Sequence, residues 1–474
     1  MIEKIKIRWV YSLCVLFIAL NAYLVVKEQY WGFLLPVVLL LLLLYIYSLD
    51  KVLLIITFAT PLAVLYRDDT YGIGASIPTE PLLLGILLVF TLRQLYIHDF
   101  DKKVWRHPLS LAIIANLLWL LITTCTSELP MVSVKFLLSR LWFVIPFFFV
   151  LSQHFKVIRN IRIFYWLYTI PLIGVIVFTI YNHSLWGFAE EPGHWVMTPF
   201  YNDHTAYGAI LAMYIPIILG LAFNKGYTRT SRLFSVLAFS ILVVAIFLSY
   251  SRAAWVSLVA ALGLFILIYF QVKLRVVLIG AVSLAGLFIA FQTQIFQKLE
   301  KNKQDSSSNI VEHVQSISNI SSDASNLERI NRWNSAFRMF SSRPIVGWGP
   351  GTYQFIYAPF QNSKERTIIS TNAGDKGNAH SEYIGPLAES GVLGMLTFLA
   401  IAILSIFYGI KVYQNAFDRE VRLLSLLMVL SLFTYYIHGF LNNFLDTDKA
   451  SIPVWGFCSV ILALDLYQPK AEKK

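Results

Sequence analysis

Long apolar runs alternate with short polar ones along most of the chain. Runs of about 17–25 apolar residues mark membrane helices, because roughly 30 Å of hydrocarbon at about 1.5 Å per residue needs that length. Fourteen segments qualify, near 9–26, 32–49, 52–66, 80–97, 108–126, 135–151, 161–181, 205–223, 232–249, 252–270, 275–296, 383–410, 421–440 and 451–467. The segment 52–66 is the weakest, being short, interrupted by Pro61, and parted from its neighbour by Asp50 and Lys51 alone. It reads as a tight hairpin partner or a half-span, so twelve or thirteen spans remain open. The pattern predicts an all-α polytopic membrane protein of about 12–14 transmembrane helices. Its expected parts are an N-terminal transmembrane bundle (1–296), a large loop (297–382) and C-terminal transmembrane helices (383–474). The first run is not expected to be a cleaved signal peptide, since no small-residue cleavage site separates it from the second.

Composition removes other classes. Hydrophobic residues make up 57% and charged residues 14%, against about 45–50% and about 25% in ordinary globular chains. A water-soluble globular protein is excluded, and with it disorder, a disulfide-stapled secreted domain and a nucleic-acid-binding domain. Cys14, Cys125 and Cys458 all lie in apolar runs, so neither a disulfide framework nor a thiolate metal site is available.

In a polytopic chain the net charge of +11 is first a topology signal. With Lys4, Lys6 and Arg8 taken as cytoplasmic, the short loops on that side collect Arg93, Lys102, Lys103, Arg106, Lys156, Arg159, Arg162, Lys225, Arg229 and Arg232. The outer side is poor in cations except in the long loop 297–379, and long loops translocate regardless of charge. Both termini are therefore expected in the cytoplasm. Almost every unusual polar feature then faces outward: loop 67–79, loop 181–204 with Glu190, Glu191, His194, Asp203 and His204, the turn Ser249–Arg252, the long loop, and connection 438–450. Any active site is expected on that side.

The long loop changes composition along its length. Residues 302–327 are rich in Ser, Asn and Asp and read as weakly ordered. From Glu328, Ile330, Trp333, Phe337 and Phe340 recur at three- and four-residue spacing, which predicts an amphipathic helix capped by Ser325 or Asn326 and stopped before Pro344. Its apolar stripe would lie on the membrane surface or the helix bundle, with Arg329, Arg332 and Arg338 on other faces. The turn Gly347-Trp348-Gly349-Pro350-Gly351 is either purely structural or an anion cradle of backbone N–H groups. The loop ends at Asn378-Ala379-His380-Ser381-Glu382-Tyr383, where Asn378 or Ser381 can cap the next helix and His380 sits at its outer mouth. That helix is expected to break near Gly391, leaving a short piece 381–390 with Glu382 and Glu389 on one face and 392–410 as the span.

A histidine at a water-filled helix mouth, on the side where arginines converge, suggests a general base paired with anion clamps. It titrates near neutrality and so can take a proton from a hydroxyl; the plainer reading is a His that hydrogen-bonds its own helix end. Arg252 opens a membrane helix from the outer side, as a snorkelling Arg would, yet outer arginines are scarce here. Lys135 and Arg140 depart from the bias likewise, and Arg140, about a turn deeper, must face the bundle interior or a wet cavity. HExxH, GxSxG, Walker A and CxxC patterns are all missing from the sequence. Asp446-Thr-Asp448 is a DxD, but that tripeptide is common in polar loops, so no metal and no cofactor are expected.

Several of these segments together resemble the O-antigen ligase/polymerase superfamily. They are Ser127–Arg140 (SELPMVSVKFLLSR), Ser251–Trp255 opening a helix, Glu328-Arg329 leading into Trp333 and Ala336, Pro344–Gly351 (PIVGWGPG), His380–Gly394 (HSEYIGPLAESGVLG) and His438-Gly-Phe, in the family's order. The resemblance implies a GT-C-type membrane glycosyltransferase of the bacterial inner membrane, with one large periplasmic loop and its active site facing the periplasm. It further implies transfer of glycan from undecaprenyl diphosphate to lipid A–core by a ligase, or to another carrier-linked glycan by a polymerase, metal-independent and with inversion. On this likeness His380 is the base, Arg252 and Arg329 grip the diphosphate, and Lys135 and Arg140 are secondary diphosphate contacts. Glu382, Tyr383, Glu389, His438 and Arg332 are further candidates. A lipid-linked oligosaccharide flippase is the alternative of another class; it should show two similar halves and mid-bilayer polar sites, whereas this chain gathers its polar residues at one face.

Overall fold

The computed structural model describes residues 2–68, 73–96, 100–273, 275–276, 279, 283, 324–366, 370 and 377–469. Apart from isolated positions, the span expected near 275–296 and the polar stretch 302–323 lie outside the described residues. The chain is an all-α polytopic membrane protein: among the described residues ten helices are long and apolar enough to cross a membrane, and two shorter apolar helices, Tyr11–Val26 and Trp31–Tyr47, accompany them.

In order the helices are α1 (Ile2–Val26), α2 (Leu35–Tyr47), α3 (Leu49–Ala59), α4 (Thr79–Tyr96), α5 (Lys102–Arg106), α6 (Pro108–Cys125), α7 (Pro130–Val144), α8 (Leu151–His154), α9 (Ile158–Ser184), α10 (Glu190–Gly193), α11 (His204–Phe223), α12 (Arg229–Leu248) and α13 (Arg252–Tyr269). After the segment that carries no description come α14 (Ala324–Ser342), α15 (Tyr353–Ile356), α16 (Ile384–Asn415), α17 (Arg419–His438) and α18 (Asp448–Tyr467). Local chemistry marks many of the ends. Pro130 opens α7, the Asp203 carboxylate accepts from Thr205 N and Ala206 N at the start of α11, and Asp418 accepts from Glu420 N at the start of α17. Between α7 and α8, Pro146 lies in a π-helical stretch, Ile145–Val150, through which the helix continues without a break. Proline cannot donate to the preceding turn, and a wider turn accommodates it.

Helices α11, α17 and α18 are buried over most of their length and form the centre, while α4, α12 and α13 keep most of their surface outward. Small residues let the central helices approach: a Cβ on Gly456 would meet the Phe164 ring, and the Tyr168 and Tyr214 rings stack 4.7 Å apart.

Two expectations need correction. The run 52–66 is not a span. It is α3, a 3₁₀ turn at Thr60–Leu62, and then a strand, because Pro61 removes a backbone donor where the helix would have had to continue. Loop 67–79 is largely a hairpin, β1 (Val64–Asp68) with β2 (Ile73–Ile77), antiparallel with Val64 opposite Ile77. The hairpin is tied to the start of α18. Asp448 accepts hydrogen bonds from Ser76 Oγ at 3.3 Å and Thr79 Oγ1 at 2.6 Å, and the buried Lys449 ammonium donates to the Thr60 and Ala63 carbonyls. The second carboxylate of the DxD, Asp446, is exposed, so the two face different surroundings.

Candidate active site

The polar residues meet at the end of the bundle where α16 begins, and their frame is a backbone weld. Helix α16 is broken at Gly391 (φ 70°, ψ −170°), a conformation that only glycine adopts readily. The break orphans helical backbone groups, and the Gly-rich turn satisfies them. Trp348 N donates to Ala388 O at 3.2 Å, Gly349 N to Glu389 O at 2.7 Å, and Val392 N to Pro344 O at 3.0 Å. Cβ atoms on Gly347 or Gly391 would collide with the opposing backbone. The turn is thus structural, with two of its N–H groups committed to α16. The segment Ser127–Arg140 locks onto the same turn: Glu128 N donates to Trp348 O, Ser133 Oγ donates to Pro350 O at 2.9 Å, and Arg343 pairs with Glu128 at 2.8 Å.

Helix α14 lies against the short first piece of α16, as the amphipathic pattern predicts, but with its other face inward. Ile330 and Phe337 are exposed and Trp333 and Phe340 half-buried; the buried positions are Glu328, Asn331, Arg332, Ser335, Ala336 and Met339. The stripe therefore points away from the bundle. Ser325 and Asn326 fall inside the helix, which begins at Ala324, rather than capping it. On the buried face Arg332, 6% exposed, donates from Nε to Glu328 Oε1 at 2.9 Å and from Nη1 to the Asn378 carbonyl at 3.1 Å. Its guanidinium lies 5.4 Å from the Tyr357 ring centroid, and Tyr353 OH donates to its carbonyl. Arg332 is a strut that fixes the segment leading to His380. Arg338 makes a bidentate pair with Glu365 and stands apart from the site.

Asn378 Oδ1 accepts from His380 N at 3.0 Å, and His380 sits at φ 48°, an uncommon conformation for a residue with a Cβ. Among the described residues its imidazole has no hydrogen-bond partner. Burial, and then the Arg332 and Arg329 guanidiniums, push its pKa down from 6.5 to about 4, while Asp203 opposes them. The ring is therefore neutral at neutral pH, rather than titrating there. Asp203, His204 and His438 share this neighbourhood, each within electrostatic reach of Arg329 or His380. His204 Nδ1–H donates to Ser249 O at 2.8 Å, and Ser251 packs on Gly208, so the turn that presents Arg252 is held beside α11. His438 is buried with its Nε2 accepting from Asn442 Nδ2 at 3.1 Å.

The other candidates separate from this cluster. Glu382 precedes α16 instead of sharing a helical face with Glu389, and its Oε1 accepts from Tyr435 OH at 2.6 Å, Phe444 N at 2.7 Å and Leu445 N at 2.9 Å. Tyr383 OH donates to Tyr436 O and its ring stacks on Phe440. Both residues brace the 438–450 connection. Lys135 and Arg140 line a distinct cavity of about 510 Å³ together with Glu382, Glu389 and Asp446.

Residues 237–399 match the O-antigen ligase family. That stretch, about a third of the chain, is similar to the O-antigen ligase family. No curated protein matches the sequence. Members of that family are membrane glycosyltransferase-like ligases or polymerases, and this chain is a multi-pass membrane protein. The matched stretch contains Arg252, Arg329, Arg332, His380, Glu382, Tyr383 and Glu389; Lys135, Arg140, Asp203 and His438 lie outside it. Sequence reasoning passed over Asp203 and Glu328 as site residues. Asp203 stood out only as one of the polar residues of loop 181–204, and Glu328 only as a charge beside Arg329.

Proposed function

We propose that the protein is an O-antigen ligase-type glycosyltransferase. It moves a glycan from undecaprenyl diphosphate to a hydroxyl of lipid A–core on the outer side of the bacterial inner membrane, with inversion and without a metal. The supporting observation is the neutral, strutted His380 imidazole beside Arg329 within the matched stretch. The acceptor oxygen bonds to the anomeric carbon as the carbon–oxygen bond to the diphosphate breaks. The electron pair leaves on the diphosphate, and the acceptor's proton passes to His380. Arg329 and Arg252 are the diphosphate clamps. Negative charge grows on the leaving oxygens, and fixed guanidinium donors favour that state over the ground state. Arg suits the task because its planar fork meets phosphate oxygens bidentately. Attack from the face opposite the leaving group gives inversion.

The test is a defined reaction in nanodiscs with carrier-diphosphate glycan and lipid A–core, resolved by gel and mass spectrometry. Glycosylated lipid A–core that survives EDTA and is lost in His380→Ala, by about 10²–10⁴ in rate, supports the ligase. Whole-repeat lengthening of the carrier-linked glycan with lipid A–core unmodified would make it the polymerase. Full activity of a folded His380→Ala variant would remove the assigned base.

A further inference from the structure

The 510 Å³ cavity adjoins the His380 cluster without belonging to it. Its wall includes Asn378, Ala379, Ser381 and Glu382 but omits His380, whose left-handed backbone turns it out of line with its neighbours. Segment 377–383 thus lines the cavity with four of its residues while His380, in the middle of it, does not take part. The lining also includes Phe136 and Arg140 of α7, Phe355, Glu389 and Asp446.

The charge balance of the cavity differs from that of the His380 cluster. Around His380 the cations Arg329 and Arg332 act against the carboxylates Asp203 and Glu328, and the cations have the larger effect on the ring. In the cavity two cations, Lys135 and Arg140, face three carboxylates, Glu382, Glu389 and Asp446. A diphosphate placed there would find the charge of Lys135 and Arg140 already offset by neighbouring carboxylates, which weakens its binding. An uncharged, polyhydroxylated ligand does not need that charge. The lining supplies what such a ligand needs. Carboxylate and amide oxygens accept from hydroxyls, Arg140 and the Gln354 and Asn443 amides donate, and Phe136 and Phe355 offer apolar faces. Arg140 is itself braced, 5.3 Å over the Phe136 ring, and Glu389 Oε1 is fixed by Tyr353 N at 3.0 Å.

We propose that this cavity is the acceptor subsite, binding the sugar of the accepting glycolipid while the donor's diphosphate lies with His380. The proposal rests on the transferase reading above, and it moves Lys135 and Arg140 from diphosphate contacts to acceptor contacts.

Two measurements on the full chain in nanodiscs test it. In steady-state kinetics, Asp446→Asn and Phe355→Ala should raise the KM for the acceptor by roughly tenfold or more, as loss of hydroxyl and packing contacts does, with the KM for carrier-diphosphate glycan changed less than about twofold. A rise confined to the donor KM, or no change in either, overturns the proposal. The second measurement needs no turnover. Gln354→Cys, in a background carrying Cys14→Ser and Cys125→Ser, is labelled with a maleimide. Lipid A–core, or carrier-linked glycan if that is the acceptor, should slow labelling, and undecaprenyl diphosphate without glycan should not. Protection by undecaprenyl diphosphate alone, or by none of the three while the wild type transfers glycan, overturns it. Protection by lipid A–core in a wild type that transfers nothing would keep the cavity as a glycan site and remove the transferase reading.

Discussion

Two arginines and two carboxylates act on the His380 ring, with the arginines prevailing, whereas a lysine and an arginine share the neighbouring cavity with three carboxylates. Both compartments are built from the same few segments, yet their polar groups are engaged differently. Beside His380 the strongest contacts are internal, Arg332 to Glu328 and to Asn378, and they leave the imidazole without a described partner. Beside Arg140 the acidic groups brace the frame, Glu382 holding the 438–450 connection and Glu389 the start of α15. The difference separates two tasks: holding one reactive ring still in a positive field, and shaping a wall.

The contrast is broken most severely at the strut. Glu328→Gln leaves Arg332 as a buried cation without its carboxylate, and breaking a buried pair from one side costs about 3–5 kcal/mol. Thermal unfolding in detergent should show a marked loss of stability. The double variant Glu328→Gln/Arg332→Met, with no stranded charge, should recover most of it but not the transfer rate, because the clamp on Asn378 is gone. Recovery of both would show that Arg332 contributes only stability. A single variant as stable as the wild type would mean that the pair is not closed.

On the cavity side the corresponding weak point is Gly391. A side chain there must take up a glycine backbone conformation, at a cost on the order of 1–3 kcal/mol, and also displace the Ile345 carbonyl. Gly391→Ala should lower the unfolding temperature and loosen the join that carries Glu389 and Gly351. Its acceptor KM should then suffer more than its donor KM. An equal loss in both would mean that the weld supports the two compartments alike.

How much of this was readable in the chain depends on which force decides each element. The break at Gly391 and the end of α14 before Pro344 follow from local backbone chemistry, which a sequence displays openly. The hairpin does not. Val64, Leu65 and Tyr66 extend the apolar run of α3, and only Pro61 hints that the helix has ended. Helix α14 misleads in another way. Periodicity identifies its apolar stripe, but the face turned inward is the one whose polar groups find partners, Glu328 with Arg332 and Asn331 with Gln361. Apolar periodicity assumes a dry interior, and here the interior contact is a polar site. His380, Arg329 and Arg252 were readable as candidates from the sequence; that Arg332 would be a strut and that Lys135 and Arg140 would line a cavity without His380 depended on tertiary placement.

The smallest expected effect is the most specific to the His380 side. With its deprotonated ring as the proposed base, activity should be lost as pH falls through its pKa. With that value near 4 in the free enzyme, kcat/KM should be nearly flat from about pH 5 to neutrality, the acid limb reporting the free enzyme's base. Burial is the larger cause of the depression and survives substitution; Arg329 is a lesser one. Arg329→Gln should therefore move the acid limb upward while leaving it below 6.5, besides lowering the rate through the lost clamp. Asp446→Asn, in the cavity lining, should leave the limb where it is. The pH profile of kcat/KM for the three proteins decides the matter. A limb unmoved by Arg329→Gln, or moved equally by Asp446→Asn, would mean that the two compartments do not differ in the field they place on the ring.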